Sequence, residues 1–202
     1  EYLEVGRYKD DERDGKWSNF RKDGKEMKVI YKDGKKWSGK FWISVQLDTL
    51  GVWTETDEDL REDDEEENKN VYKGLFTFDD GLWNGLGVLY GRNGKVWMER
   101  NYVDGKLEGK GVLYYESGKV KGEGNYVDGK KEGKWVWYYE SGKVKREGNY
   151  VDGKQEGKEV FYYESGEVKV EGNYVDGKKE GKWVGYYESG KVMIEGNYVG
   201  DT

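Results

Sequence analysis

The sequence predicts an all-β protein: an elongated, single-layer antiparallel β-sheet solenoid built from repeated β-hairpins of about 24 residues each. Three observations predict it. Glycines recur on a fixed grid, with Gly124, Gly148, Gly172 and Gly196 evenly spaced, and so do Gly109, Gly133, Gly157 and Gly181. Between them lie short runs of β-branched and aromatic residues, such as "KWVWYY" and "KVKREGNYV", which suit strands. The chain has 32 Gly and no Pro, a balance that fits many tight turns needing positive φ and no rigid linker.

Each element follows in order. Residues 1–54 carry a weaker copy of the pattern, in which "DGKWSNFRKDGK" spaces Gly15 and Gly24 as Gly133 and Gly142 are spaced, and "DGKKWSGKFW" opens an irregular copy at Gly34. Residues 55–70 break the pattern. Within them "ETDEDLREDDEEE" holds ten acids and one Arg, a net of −9 against −7 for the whole chain. Residues 71–202 are the regular repeats, one continuous solenoid in this reading. In each unit "ESG" closes a short hairpin loop with Gly in the left-handed region, and "DGKKEG" turns the chain into the next hairpin. No apolar spacing of helical period is present.

Alternation along the strands sorts the side chains into two faces. If Tyr139 pairs with Lys143 across the loop, Val136 and Tyr138 share a face with Val144 and Tyr150. Trp135, Trp137 and Tyr139 then share the other with Lys143, Lys145 and Glu147. The first face is held between copies: Val112, Val136, Val160 and Val184 correspond, as do Tyr114, Tyr138, Tyr162 and Tyr186. It is the expected stacking core. The second face varies. One column reads Gly111, Trp135, Glu159, Trp183, and the next reads Leu113, Trp137, Phe161, Gly185. Either large and small residues interdigitate there, or the face presents contacts to a partner. On the second reading Trp135, Trp137, Phe161 and Trp183, with Tyr139 and Tyr163, form a partly exposed protein-binding stripe.

These residues carry a resemblance. "GNYVDGKKEGKWVWYYESG" resembles the MORN repeat, whose units have the pattern "G-K-x-x-G-K-G" and a later "D-G" turn. Gly129, Gly133 and Gly142 match three of its landmarks; Gly87 and Gly111 match a fourth, which Trp135, Glu159 and Trp183 replace. "GKxEGKW…YYESGK" is similar to the bacterial variant of that repeat. The resemblance spans Thr77 to Val199 strongly and Val5 to Ile43 weakly. It implies the hairpin fold and no catalytic residues. It also implies a function among immunity or antitoxin-type inhibitors of a toxin protein, with a structural or membrane-peripheral scaffold as the alternative.

Composition narrows the chemistry. The chain has no Cys and no His, so thiolate and imidazole metal sites and a Ser–His nucleophile are out of reach. No metal or other cofactor is expected. The recurring acids Asp104, Asp128, Asp152 and Asp176, and Glu108, Glu132, Glu156 and Glu180, read as turn and cap residues, because one active site does not need its acid four times. The acidic run lacks the central Gly of a calcium loop. Its residues Asp57, Glu58, Asp59, Asp63, Asp64, Glu65 and Glu66 are a candidate contact patch for a basic partner. Outside that run the charges sum to about +2, without the basic stripe that nucleic acid or anionic membrane calls for. The expectation is therefore a non-enzymatic chain with a protein partner, a toxin among the candidates. Oligomeric state is left open. So is the compartment: the cytoplasm is favoured, and a processed leader ahead of Glu1 would allow a secreted or periplasmic site.

Overall fold

The computed structural model describes residues 3–9, 12–20, 26–32, 35–47, 53–56, 71–91 and 93–200. They are all-β, with no helix among the described residues. The chain divides into two compact units, Glu1–Lys106 and Leu107–Thr202. Within each, the strand pairs are antiparallel and follow one another as hairpins.

The first unit holds β1 (Leu3–Lys9), β2 (Glu12–Phe20), β3 (Glu26–Lys32), β4 (Lys35–Leu47), β5 (Trp53–Thr56), β6 (Val71–Asp79), β7 (Leu82–Trp83), β8 (Gly85–Tyr90) and β9 (Val96–Val103). Strands β1 to β4 pair in sequence. The 13-residue β4 has two further partners: Ser44–Leu47 pairs with β5, and Gly39–Gln46 pairs with β6. The acidic residues Asp57, Glu58, Asp59, Asp63, Asp64, Glu65 and Glu66 fall between β5 and β6 and lie outside the described residues.

The second unit holds β10 (Lys106–Tyr114), β11 (Val120–Val127), β12 (Lys130–Tyr138), β13 (Val144–Val151), β14 (Lys154–Tyr162), β15 (Val168–Val175), β16 (Lys178–Tyr186) and β17 (Val192–Tyr198). Both of its turn types follow from the sequence. Between β11 and β12 the two central residues Asp128 and Gly129 have φ of 50° and 84°. That is the turn with two left-handed residues, for which Asp-Gly is a favoured pair because its twist matches that of the strands. The other turn is the predicted loop. The Tyr139 N–H donates to the Lys143 carbonyl at 2.8 Å, and the Gly142 N–H donates to the Tyr139 carbonyl at 2.9 Å.

One feature of these hairpins departs from the predicted alternation. Tyr138 pairs with Val144, but Trp137 pairs with Arg146, leaving Lys145 as an extra residue in a β-bulge. The same shift follows Leu113, Phe161 and Gly185. A bulge turns every later residue of its strand to the opposite face. Trp135 and Trp137 therefore share their face with Arg146, Gly148 and Tyr150, and not with Glu147. Val136 and Tyr138 share theirs with Val144 and Glu147, and not with Tyr150. The expected assignment of Tyr150 and Glu147 is thus exchanged.

The core moves with it. The most buried side chains of this unit, Trp135 at 1%, Glu159 at 1% and Trp183 at 6% exposed, lie on the varying face. The held face contributes Val112 and Val160 as buried residues, while Tyr138, Tyr162 and Tyr186 are half-buried. Trp135 packs with Tyr126 and Tyr150, and Leu107 and Trp137 cover the edges of that cluster.

Candidate functional site

The tryptophan face is built on a row of glycines. Trp135 lies flat over Gly124, so that a Cβ on that glycine would sit 2.2 Å from the indole. Trp183 covers Gly172 at 2.1 Å in the same way. No real Cβ tolerates such a distance, so each glycine is the floor that lets the ring into the sheet surface. The first unit uses the same lock with the parts exchanged: Phe76 is the ring and Gly87 the floor, at 2.7 Å. The rings then find polar partners at their rims. Trp135 Nε1–H donates to the Asn125 carbonyl at 3.1 Å, and Trp183 Nε1–H donates to the Asn173 carbonyl at 3.2 Å. Above them stand cations: Lys131 Nζ is 4.5 Å from the Trp135 ring, and Lys179 Nζ is 4.8 Å from the Trp183 ring.

The slot between these two tryptophans is filled by Glu159. Its carboxylate accepts from Arg146 Nε and, at 2.6 Å, from Gln155 Nε2. The Arg146 guanidinium also donates to Tyr150 Oη at 3.3 Å. It lies between two rings, 4.5 Å from Trp137 and 5.2 Å from Phe161. A buried carboxylate is tolerable only when paired and hydrogen-bonded, and Arg146 and Gln155 provide both. Burial pushes the Tyr150 hydroxyl up from its ordinary range, against the opposing pull of Arg146.

The valine face carries a repeated triad. The Tyr138 hydroxyl donates to Glu123 at 2.8 Å, Tyr162 to Glu147 at 2.7 Å and Tyr186 to Glu171 at 2.9 Å. Lys110, Lys134 and Lys158 reach the second oxygen of the same carboxylates. The lysine bond, then the tyrosine bond, holds Glu123, Glu147 and Glu171 below the usual carboxylate range. Burial, and then the bond to Glu147, pushes the Tyr162 hydroxyl up to about 12.

The predicted contact residues divide accordingly. Trp137 and Phe161 are half-buried, flanking Arg146, as a partly exposed stripe requires. Trp135 and Trp183 are not exposed; they are packing residues with their polar edges already bonded. Tyr139 and Tyr163 are stitches between hairpins. The Tyr139 hydroxyl donates to the Tyr162 carbonyl at 2.6 Å, Tyr163 donates to the Tyr186 carbonyl, and Tyr115 donates to the Tyr138 carbonyl. The recurring turn acids are also occupied in local structure: Glu108, Glu132 and Glu156 accept from the N–H groups of Asp128, Asp152 and Asp176.

Four stretches, 107–128, 131–152, 155–176 and 179–199, match the MORN repeat variant, and 73–96 and 171–182 match the MORN repeat. The chain carries MORN repeats. Its comparison with curated proteins returns no match. Within the MORN units the pattern-based reading missed Arg146, Gln155 and Glu159 as a group. A signal for them was present. The one unit of the regular set that places Glu in the tryptophan slot is also the one that replaces Lys131 and Lys179 by Gln155, and Gly122 and Val170 by Arg146.

Proposed function

We propose that this chain is a non-enzymatic, protein-binding MORN-repeat scaffold, and within that class an inhibitor of the immunity or antitoxin type. The observation that carries the binding reading is the row Trp137–Arg146–Phe161. It places two half-buried rings and a guanidinium side by side on a frame whose packing is completed elsewhere, by Trp135 and Trp183. Aromatic rings and arginine are the residues that most often dominate protein interfaces. The inhibitor reading rests on the repeat variant and is the finer part of the proposal.

The test is capture from the native host with a tagged full chain, beside Trp137→Ala and Phe161→Ala. Binding through this row predicts one stoichiometric partner, with affinity reduced by about 2 kcal/mol or more in each variant. An inhibitor would also suppress the toxicity of that partner on co-expression. Self-association in place of a distinct partner would favour a structural scaffold, and partner capture insensitive to both substitutions would move the contact surface off this row.

A further inference from the structure

The two faces of the Leu107–Thr202 unit differ in how their charges are disposed. On the valine face they cancel in pairs, Lys110 with Glu123, Lys134 with Glu147, Lys158 with Glu171 and Lys182 with Glu195. On the tryptophan face Arg146 is paired with Glu159, and lysines stand over aromatic rings. Lys131, Lys179 and Arg146 stand over its tryptophans. Alternation puts Tyr115, Tyr139 and Tyr163 on the same side of their strands, and Lys121, Lys145 and Lys169 stand over those rings at 5.7, 5.6 and 5.5 Å. Of the carboxylates in these strands, alternation sends only Glu159 to this side, where it is buried and held by Arg146. Beyond the Arg146–Glu159 pair, Lys121, Lys145, Lys169 and Lys179 thus share a side to which the strands send no other carboxylate, although residues 107–202 hold 16 basic and 18 acidic residues, 16 − 18 = −2.

We propose that the tryptophan face of this unit docks an extended, acidic segment of a partner protein. The proposal rests on the protein-binding reading above and adds the chemistry of the partner. Burial of Trp135 and Trp183 is part of the argument, because it leaves ammonium groups rather than indoles outermost over both rings. Spacing is another. Lys121, Lys145 and Lys169 recur once per hairpin, every second strand, which is about 9.6 Å. A chain in the extended polyproline II conformation rises about 3.1 Å per residue and turns once every three residues, so carboxylates at every third position fall on one side about 9.3 Å apart. On the loop side the strip is bounded by glutamates. Burial first, and then the charges of Glu140 and Glu164, raise the Tyr115 hydroxyl. A long polyanion would meet those glutamates and the net negative charge of the unit. An anionic membrane would find Trp135 and Trp183 buried and unable to insert.

The experiment titrates the full chain with a labelled peptide of about fifteen residues carrying Asp at every third position. The comparison probes are a same-composition peptide with its Asp residues clustered, phosphatidylserine vesicles, and single-stranded DNA of similar length. Fluorescence anisotropy and vesicle co-sedimentation read the binding, and thermal melting confirms that the variants fold. Binding of the spaced peptide is expected to exceed that of the clustered one about fivefold. It should fall at least about tenfold in the double variant Lys145→Glu, Lys169→Glu, and weaken with added salt. Lys134→Glu, on the valine face, should leave it within about twofold. The proposal is overturned if the spaced peptide does not bind, if the double variant binds it equally well, or if vesicles or DNA bind more tightly. Should the native partner still be captured in a Trp137-dependent way while the peptide fails, the acidic-segment claim falls and the protein-binding reading stands.

Discussion

The hairpin carrying Trp135 and the hairpin carrying Glu159 have the same backbone. In both, the strand pairs with its successor through the same six-residue register and the same bulge. Yet one slot holds an indole and the other a carboxylate, each 1% exposed. The tryptophan is satisfied by a glycine floor and a lysine over the ring. The glutamate is satisfied by an arginine from the preceding strand and a glutamine four residues earlier. A repeat frame therefore accepts opposite chemistries in one slot, provided that three positions change together: 122 with 131 and 135, or 146 with 155 and 159.

The comparison can be broken from either side. The largest effect is expected at the apolar slot. Trp135→Ala removes a fully buried ring between two tyrosines and should destabilise the protein by about 3–5 kcal/mol in chemical denaturation. Close behind is Arg146→Met, which strands the Glu159 carboxylate. Breaking a buried pair from one side costs about 3–5 kcal/mol, and water reaching the partly exposed arginine site places this variant at the low end. Replacing the whole polar set sharpens the contrast. Arg146→Val with Gln155→Lys and Glu159→Trp copies Val170, Lys179 and Trp183, and should be neutral or stabilising by about 1–4 kcal/mol. A triple variant less stable than Arg146→Met would show that the slots are not equivalent.

Smaller effects come from the parts that both hairpins share. Tyr139→Phe deletes the hydroxyl stitch to the Tyr162 carbonyl and should cost about 1 kcal/mol, read as a lower Tm. The valine-face triads set the pH response. Glu123, Glu147 and Glu171 are held low in the folded protein, so their contribution is present above the ordinary glutamate range and is lost as pH falls through their folded values. Tyr162 is held high, to about 12. Its contribution is present below the ordinary tyrosine range near 10 and is lost as pH rises toward 12. Melting scans should show a plateau between these limits, and Tyr162→Phe should flatten its alkaline edge.

Most of the architecture was legible because it is written in turns. Asp128–Gly129 and Gly142 each allow few backbone solutions, and their repetition fixes the hairpins. The faces were half legible. Alternation is correct up to the bulge, but Val144-Lys145-Arg146 contains no glycine or proline to mark an extra residue, so Tyr150 and Glu147 were placed on the wrong sides. The tryptophans were legible as special and not as buried. Exposure depends on what lies opposite, and Gly124 faces Trp135 only through a second register shift, between Glu123 and Asn125. The polar set of Arg146, Gln155 and Glu159 spans two strands, and no single run of sequence displays it.

The tyrosine stitches have a mechanical consequence. Tyr115, Tyr139 and Tyr163 each tie a hairpin to the one that follows, so load drawn along the Leu107–Thr202 unit passes from one stitch to the next. Pulled from its ends, the unit should come apart hairpin by hairpin. Each rupture would free about 24 residues, or roughly 80 Å of contour at about 3.4 Å per residue. The protein would then behave as a chain of fuses in series, each limiting the force that reaches its neighbours.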